Sequence, residues 1–306
     1  MRRLFNCRAV AAQRISGAGS SPAVAEKHYD MAKFRSRRQT GLPFVMGVLN
    51  VTPDSFSDGG DFVDQEAAVA RGLEMLANGA DVIDVGGEST RPGADPVTDK
   101  EEMRRVLPVI KALRERTAAR ISIDTFKPVV ARAAVDAGAD IWNDVMALRA
   151  EGAVETAAEL GVPVIMMHMS GTPQTMQANP QYDDVVSEVC DFLTERADIA
   201  MAKGVSADSI WLDPGIGFGK SLDHNLALMH DLDQVIGLGY PVLFGASRKR
   251  FIAAIDEGAA EMERLGGSLA AALRAASAGA AMVRVHDVRM TVQALKVQAA
   301  IGKGRA

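Results

Sequence analysis

Eight short apolar runs recur between residues 44 and 286, and nearly every one ends in a polar, chemically useful residue. FVMGVLN ends at Asn50, and DVIDVGGEST runs from Asp81 to Thr90. RISIDT closes on Asp124 and Thr125, DIWNDV carries Asn143 and Asp144, and VPVIMMH ends at His168. SIWLDPG carries Asp213, PVLFGASRK ends at Ser247, Arg248 and Lys249, and AMVRVHD ends at Arg284, Val285, His286 and Asp287. Each intervening stretch can hold a helix. This is the rhythm of an α/β chain folded as a (β/α)8 TIM barrel, whose chemistry sits at the carboxyl ends of the strands.

The chain has 306 residues, enough for one barrel of about 250 residues and a tail. Hydrophobic residues make up 48% and aromatic residues only 5%, so Ala, Val, Ile, Leu and Met must fill the core. No apolar run approaches the ~18 residues of a membrane span. Two cysteines, Cys7 and Cys190, exclude a disulfide framework and fit a reducing compartment. Residues 1–40 carry nine Lys/Arg against two Asp/Glu, a balance of +7 that leaves −12 for the rest of a chain whose net charge is −5. An acidic body argues against a nucleic-acid surface but leaves room for a small basic pocket for an anionic substrate.

Residues 1–25 hold Arg2, Arg3, Arg8 and Arg14, no acid, and much Ala, Ser and Gly, the composition of a mitochondrial transit peptide. The favoured alternative starts translation at Met31 and makes the preceding residues a misassigned leader, since Arg- and Ala-rich leaders arise easily in Ala-rich coding sequence. Either way residues 1–41 are expected to form a poorly ordered basic tail, and residues 42–306, which no Pro- or Gly-rich linker interrupts, are expected to form one barrel domain. Strands are expected near 44–50, 81–86, 120–124, 140–144, 163–167, 209–213, 241–246 and 281–285. Helices are expected over 64–78, 99–117, 127–137, 152–160, 183–203, 222–236 and 288–301, with a seventh broken into a piece after Arg248 and a longer one over 265–278. Gly79, Gly138, Gly161 and Gly279 each stand just past a helix and before a strand, where a left-handed residue ends a helix.

Two of the loops are wrong for simple connectors. NVTPDSFSDGG, from Asn50 to Gly60, and GGESTRPGA, from Gly86 to Ala94, combine Gly, Pro, Ser or Thr and charge. That composition on the catalytic face favours loops that close over a ligand above ordinary turns. Asp84, Asp124 and Asp213 each follow a β-branched or apolar residue at a strand end, where a carboxylate is costly without a partner or ligand. Asp124, Asn143 and Asp213 can converge in the mouth, and two carboxylates with one amide match the edge of a heterocycle rich in N–H donors. The alternative, a salt bridge to a rim Arg or Lys, carries weight for Asp84, and Asp144 reads as structural.

Cations gather on the last strands: Lys249, Arg284 and His286, with Arg91 from the second loop. The mouth near strands 7 and 8 of this fold often binds phosphate, which an Arg fork and a compact Lys charge both suit. His286 can instead be a plain structural His, but its strand-end place favours phosphate. Arg248 and Arg250 read as solvent-exposed. DPGIGFGK, residues 213–220, lacks the Walker spacing, and its Gly215, Gly217 and Gly219 would let backbone and Phe218 approach a flat ligand. HMSG, residues 168–171, has no second His or Cys at ligand spacing and so does not read as a zinc site. No GxSxG elbow or Cys–His pair supports covalent catalysis.

These stretches together resemble the dihydropteroate synthases, among the pterin-binding barrels. The likeness covers residues 44–290: MGVLNVTPDSFSDGG and DVGGESTRPGA are similar to two signature stretches of that family. SIDTFKP, NDV, MHMSGTP, LDPGIGFGK, SRKRFI and RVHDV follow in the family's order, and eight motifs in order make the match specific. The resemblance implies that 4-aminobenzoate displaces pyrophosphate from 6-hydroxymethyl-7,8-dihydropterin diphosphate to give 7,8-dihydropteroate for folate synthesis.

On that resemblance Asp124, Asn143 and Asp213 would hold the pterin's amino and ring nitrogens, Lys249 its carbonyl side, and Met167 and Arg284 would pack on the ring. Asn50 would contact Mg²⁺, with Thr90, Arg91, Arg284 and His286 near the pyrophosphate. Phe218, Pro92, Ser247 and the Lys249 stem would frame the aminobenzoate slot, closed by Phe56. Asp124, Lys249 and Arg284 would be the catalytic residues. Sulfonamides, which mimic aminobenzoate, are expected competitors. The family is usually dimeric, which implies a homodimer, and the lack of a fused pyrophosphokinase implies a bacterial cytoplasmic enzyme. The mitochondrial matrix is the alternative if residues 1–30 are a true transit peptide.

The residues agree on one point by themselves: the site offers carboxylates, cations and an oxygen ligand for Mg²⁺, but no nucleophile. An aromatic amine is already neutral at pH 7 and needs no base, so the expected reaction is an SN1-like C–O cleavage with charge stabilisation. A methyltetrahydrofolate:corrinoid methyltransferase would share the pterin-holding residues but have no use for the STRPG loop or the SRK stretch. A non-catalytic pterin-binding paralogue is the other alternative.

Overall fold

The computed structural model describes residues 42–52, 61–89, 94–172, 175–177 and 179–303. Eight parallel strands form the sheet: β1 Phe44–Asn50, β2 Val82–Gly86, β3 Arg120–Asp124, β4 Ile141–Asp144, β5 Val164–Met167, β6 Ile210–Asp213, β7 Leu243–Phe244 and β8 Met282–Val285. Their order is β6-β5-β4-β3-β2-β1-β8-β7. Leu212, bridged to Val242 and donating its N–H to Pro241 O at 3.0 Å, brings the two ends of the sheet together. The result is a nearly closed (β/α)8 TIM barrel.

The helices are α1 Asp61–Ala77, α2 Asp99–Arg116, α3 Pro128–Asp136, α4 Ala153–Leu160, α5 Val185–Ala202, α6 Leu222–His230, α7 Leu232–Ile236, α8 Arg250–Ile255, α9 Leu265–Ala278 and α10 Val288–Lys303. Local chemistry starts and stops them. Thr98 accepts from Glu101 N at the head of α2, and Asp184 accepts from Val186 N and Ser187 N at the head of α5. Gly79, Gly138, Gly161 and Gly279 all have positive φ, as their place between helix and strand predicts. No helix among the described residues is long and apolar enough to cross a membrane.

Two elements depart from the sequence expectation. The strand expected over 241–246 keeps only Leu243–Phe244. Pro241 has no N–H to give a ladder, and beyond Phe244 the chain leaves the sheet for a turn in which Arg248 takes a left-handed φ of 58°. The helix expected over 222–236 breaks at Asp231, whose ψ of 29° is not helical, into α6 and α7.

Period-two alternation builds the interior in layers. Met46, Val82, Ile141, Ile165, Trp211, Leu243 and Met282 form one buried apolar layer. Two residues further along the same faces stand Asp84, Asn143, Met167, Asp213, Gly245 and Arg284. An apolar floor thus supports a polar mouth, and the register aligns Asn50 with Gly86, Gly86 with Asp124, and Asp124 with Asn143.

Candidate active site

Arg284 organises the mouth. Its Nε donates to Asp84 Oδ2 and its Nη2 to Asp124 Oδ2, each at 2.6 Å, and Asn143 Nδ2 donates to Asp84 Oδ2 at 3.1 Å. Asp84 is therefore the rim salt-bridge partner that its strand position allowed. Burial alone would lower the pKa of Arg284, but Asp84 and Asp124 hold it above its ordinary value. Asp124 keeps a second oxygen, Oδ1, buried and without a hydrogen-bond partner among the described residues. Burial raises the Asp124 pKa to about 7 against the opposing pull of Arg284. A buried acceptor of this kind is satisfied when a ligand brings a donor.

Asp213 lies across the mouth, paired in register with Met167, and its Oδ1 accepts Gly215 N at 2.7 Å. Burial pushes its pKa up, opposed by Lys249. Lys249 in turn is lowered to about 8 by burial, with Asp213 opposing. Its Nζ donates to Ile216 O and sits 4.4 Å from the Phe218 ring centroid, a cation–π contact. A Cβ on Gly217 would lie 3.0 Å from Lys249 Cδ, so the stem can rest on the turn because residue 217 is glycine. Met167 packs with Val145, Met169 and Met176, and Phe126, Met146 and Phe218 lie against that cluster. Asp124, Asn143, Met167, Asp213, Phe218, Lys249 and Arg284 thus come from five strands and two loops to one end of the barrel.

Ser247 and His286 form the neighbouring corner: His286 N donates to Ser247 Oγ at 3.2 Å, and its Nδ1 lies 3.0 Å from the same oxygen. Arg248, expected to be solvent-exposed, is not. Its guanidinium pairs with Asp287 at 3.0 and 2.5 Å, its N–H donates to Ser268 Oγ, and its carbonyl accepts from Arg264. A bulky residue with a left-handed backbone needs such anchoring, and the anchoring lets Ser247 and Lys249 flank it. Arg250 is exposed, as expected. Asp144 is structural as read: its two oxygens accept Met146 N and Leu148 N. Asn50 ends β1 exposed, beside Gly86. The roles expected of residues 1–41, Phe56, Thr90, Arg91 and Pro92 fall outside the described residues.

Two supporting clusters escaped the sequence reading. Lys127 donates to Glu88 at 2.6 Å, to Glu102 at 2.7 Å and to Val97 O, while Glu88 also accepts Val97 N at 3.1 Å. This knot ties Glu88 to Val97, on either side of the STRPG segment. Lys220, fully inside, contacts His168 Nδ1 at 2.8 Å, and burial takes the His168 pKa down to about 2. The lysine that ends GFGK was a visible signal; its partner 52 residues away was not.

Comparison with known proteins agrees with the barrel fold. The model of the family described as pterin binding enzyme matches residues 46–286. The dihydropteroate synthase of Haemophilus influenzae is 47% identical over 256 residues, covering 84% of this chain and 93% of that protein. Among solved structures, Xanthomonas albilineans dihydropteroate synthase with 4-aminobenzoic acid is 51% identical with a TM-score of 0.81, covering 86% of this chain and 94% of that one. The same enzyme in complex with 7,8-dihydropteroate is 49% identical with a TM-score of 0.79, covering 86% and 95%.

Proposed function

This chain belongs to the pterin-binding enzymes, in their dihydropteroate synthase branch, and we infer from that premise that its barrel mouth condenses 6-hydroxymethyl-7,8-dihydropterin diphosphate with 4-aminobenzoate. The products would be 7,8-dihydropteroate and pyrophosphate, and the chain is a transferase of folate synthesis. The observation that carries the substrate assignment is the Oδ1 of Asp124, buried and without a partner among the described residues, next to Asn143 in register and with Asp213 across the mouth. Those acceptors suit the donor-rich edge of a pterin, while Met167 and Arg284 suit its faces.

The reaction breaks the C–O bond to the diphosphate and forms a C–N bond to the amine, which loses its proton. The amine needs no base to free its lone pair, so the residues act by holding charge. Cleavage in an SN1-like order develops positive charge on the dihydropterin. The Asp124 and Asp213 carboxylates stabilise that charge in a site where water competes poorly. Arg284 fixes Asp124 by one oxygen and leaves the other for the ring. Arg284 and His286, with Thr90 and Arg91, would receive the departing pyrophosphate. Lys249 meets the pterin's carbonyl side by Nζ and frames the aminobenzoate slot by its stem, with Phe218, Ser247 and Pro92 as further walls and Phe56 closing over it.

Among the described residues no three His, Cys, Asp or Glu converge as a metal cage. The exposed Asn50 amide at the strand end offers one hard oxygen, which suits Mg²⁺ because that ion keeps waters and takes substrate phosphate oxygens. Bound there, Mg²⁺ would supply neutralisation of the leaving pyrophosphate's charge. The relative compared above is bacterial, which supports a bacterial cytoplasmic setting. Exposed Met290, Val297 and Ile301 on α10 support a homodimer; a monomer in light scattering would refute it.

The test is to incubate the purified protein with the pterin diphosphate, 4-aminobenzoate and Mg²⁺ and to follow both products. Equal release of dihydropteroate and pyrophosphate, lost with EDTA and inhibited competitively by a sulfonamide, is expected. Tight pterin binding without turnover would favour a non-catalytic paralogue, and no binding would reject the assignment.

A further inference from the structure

The reaction as described uses neither Lys220 nor His168, although both are buried and joined at 2.8 Å. Lys220 Nζ also donates to Gly215 O and to Phe218 O, each at 3.0 Å. Those two carbonyls bracket residues 216–218, the stretch that carries the Ile216 carbonyl and the Phe218 ring. Both groups hold Lys249.

Within the turn itself, Phe218 N donates to Gly215 O at 3.1 Å. Gly215, Gly217 and Gly219 all have positive φ, and a glycine-rich segment has other conformations of similar energy. One internal bond does not fix five residues, and the other ties come from outside. The turn is packed against the exit of β5, where a Cβ on Gly215 would lie 1.9 Å from His168 O and one on Gly219 would lie 3.0 Å from Ser170. Its periphery is tied by Asn225 to Gly217 N, Gln177 to Gly217 O and Tyr182 to Gly219 O. Among the described residues, Lys220 is the group that reaches inside the turn and spans it.

We propose that Lys220 is a positioning residue for the aminobenzoate half of the site, its buried nitrogen and His168 together holding residues 215–219 so that Phe218 and the Ile216 carbonyl lie under Lys249. This rests on the reaction assigned above. The HMSG and GFGK segments are then one unit, with His168 as the third partner of the lysine rather than a metal ligand or base. Of the pterin-holding groups, Asp124 and Asn143 lie on β3 and β4 away from the turn, and Asp213 and Lys249 meet it only through Gly215 N and Ile216 O. Phe218 lies in the turn and the Lys249 stem rests on it, so loss of Lys220 falls more heavily on the second substrate.

The experiment compares wild-type enzyme with Lys220→Met, which keeps the length and removes the donors. Both substrates are varied and melting is recorded. Loss of the Lys220 donor leaves the Phe218 carbonyl without it and Gly215 O with only the Phe218 N–H, which is expected to raise the KM for 4-aminobenzoate by about tenfold or more. The KM for the pterin diphosphate should stay within about threefold of wild type. An aminobenzoate KM within about twofold of wild type, or both KM values rising together as in a general loosening, would overturn the proposal. If Lys220→Met does not fold, His168→Asn and His168→Leu decide. Asn keeps a polar atom where Nδ1 stands and should leave the aminobenzoate KM near wild type, Leu should raise it, and equal behaviour of the two refutes the role. Wild-type enzyme without turnover would remove the reaction and this role together; active wild type with an unmoved variant removes the role alone.

Discussion

Arg284 holds Asp124 by one carboxylate oxygen at 2.6 Å, from a position 160 residues further along the chain, and the other oxygen stays buried without a partner among the described residues. The arginine thus orients an acceptor and keeps it available.

Asp124→Asn tests that arrangement. The amide loses the charge that Arg284 pairs with and replaces an acceptor by a donor facing ligand donors. Affinity for the pterin diphosphate should fall by about 2–3 kcal/mol, read by calorimetry, with turnover falling at least in parallel. Wild-type affinity and turnover in this variant would disprove the role of Asp124.

The same residues set a pH profile. Asp124 must be ionised to accept two donors, and its pKa is raised by burial to about 7. Lys249 must keep its proton, and its pKa is lowered by burial to about 8. The kcat/KM for pterin diphosphate should therefore rise through the first value and fall through the second, a narrow bell. Lys249→Arg, whatever its residual rate, should lose the alkaline limb, because a guanidinium does not titrate there. An unchanged alkaline limb would assign it elsewhere.

Stability without ligand should run the opposite way on the acid side. The folded pKa of Asp124 lies above its unfolded value of 3.8, so the native state holds the extra proton between the two. The contribution of that group is fully present below the unfolded pKa and is lost as pH rises through about 7. Melting temperature between pH 5 and 8 should fall less steeply in Asp124→Asn than in wild type, and parallel curves would contradict the burial cause.

Gly215 and Gly204 separate steric contact from backbone preference. Both have positive φ, 66° and 100°, so alanine carries a left-handed penalty at either. At Gly204 the nearest atom to a new Cβ is Ala158 Cβ at 3.9 Å, whereas at Gly215 it is His168 O at 1.9 Å. Gly204→Ala should cost about 1 kcal/mol in urea unfolding, and Gly215→Ala more than about 3 kcal/mol with loss of activity. Equal costs would mean that the close approach of β5 and the β6 turn is wrong.

Arg248 joins strain to an ion pair. Arg248→Ala loses the Asp287 contact and keeps the left-handed backbone, while Arg248→Gly loses the contact and relieves the backbone. The glycine variant should be more stable than the alanine variant by about 1 kcal/mol. The reverse order would place residue 248 in an ordinary right-handed conformation.

Much of this molecule is legible in one dimension because its elements are local. A strand alternates with period two and a helix ends at a left-handed glycine wherever they occur, so the runs ending at Asn50, Asp124, Asn143, Met167 and Asp213 reveal both the barrel and the end that carries polar groups. The motif order then narrows the chemistry to a pterin. Two local readings fail, the length of β7 and the continuity of α6 into α7, because a turn or a helix break there depends on what packs against it. The sequence by itself therefore determined the fold class, the end of the barrel that carries the polar groups, and the family. Only the tertiary structure decided which partner each charge takes: Asp84 and Asp124 with Arg284, Arg248 with Asp287, Lys127 with Glu88 and Glu102, Lys220 with His168. Those pairs come from strands and loops distant in sequence. The energy of a buried charge depends on the few atoms within hydrogen-bond reach, which barrel closure and register bring together.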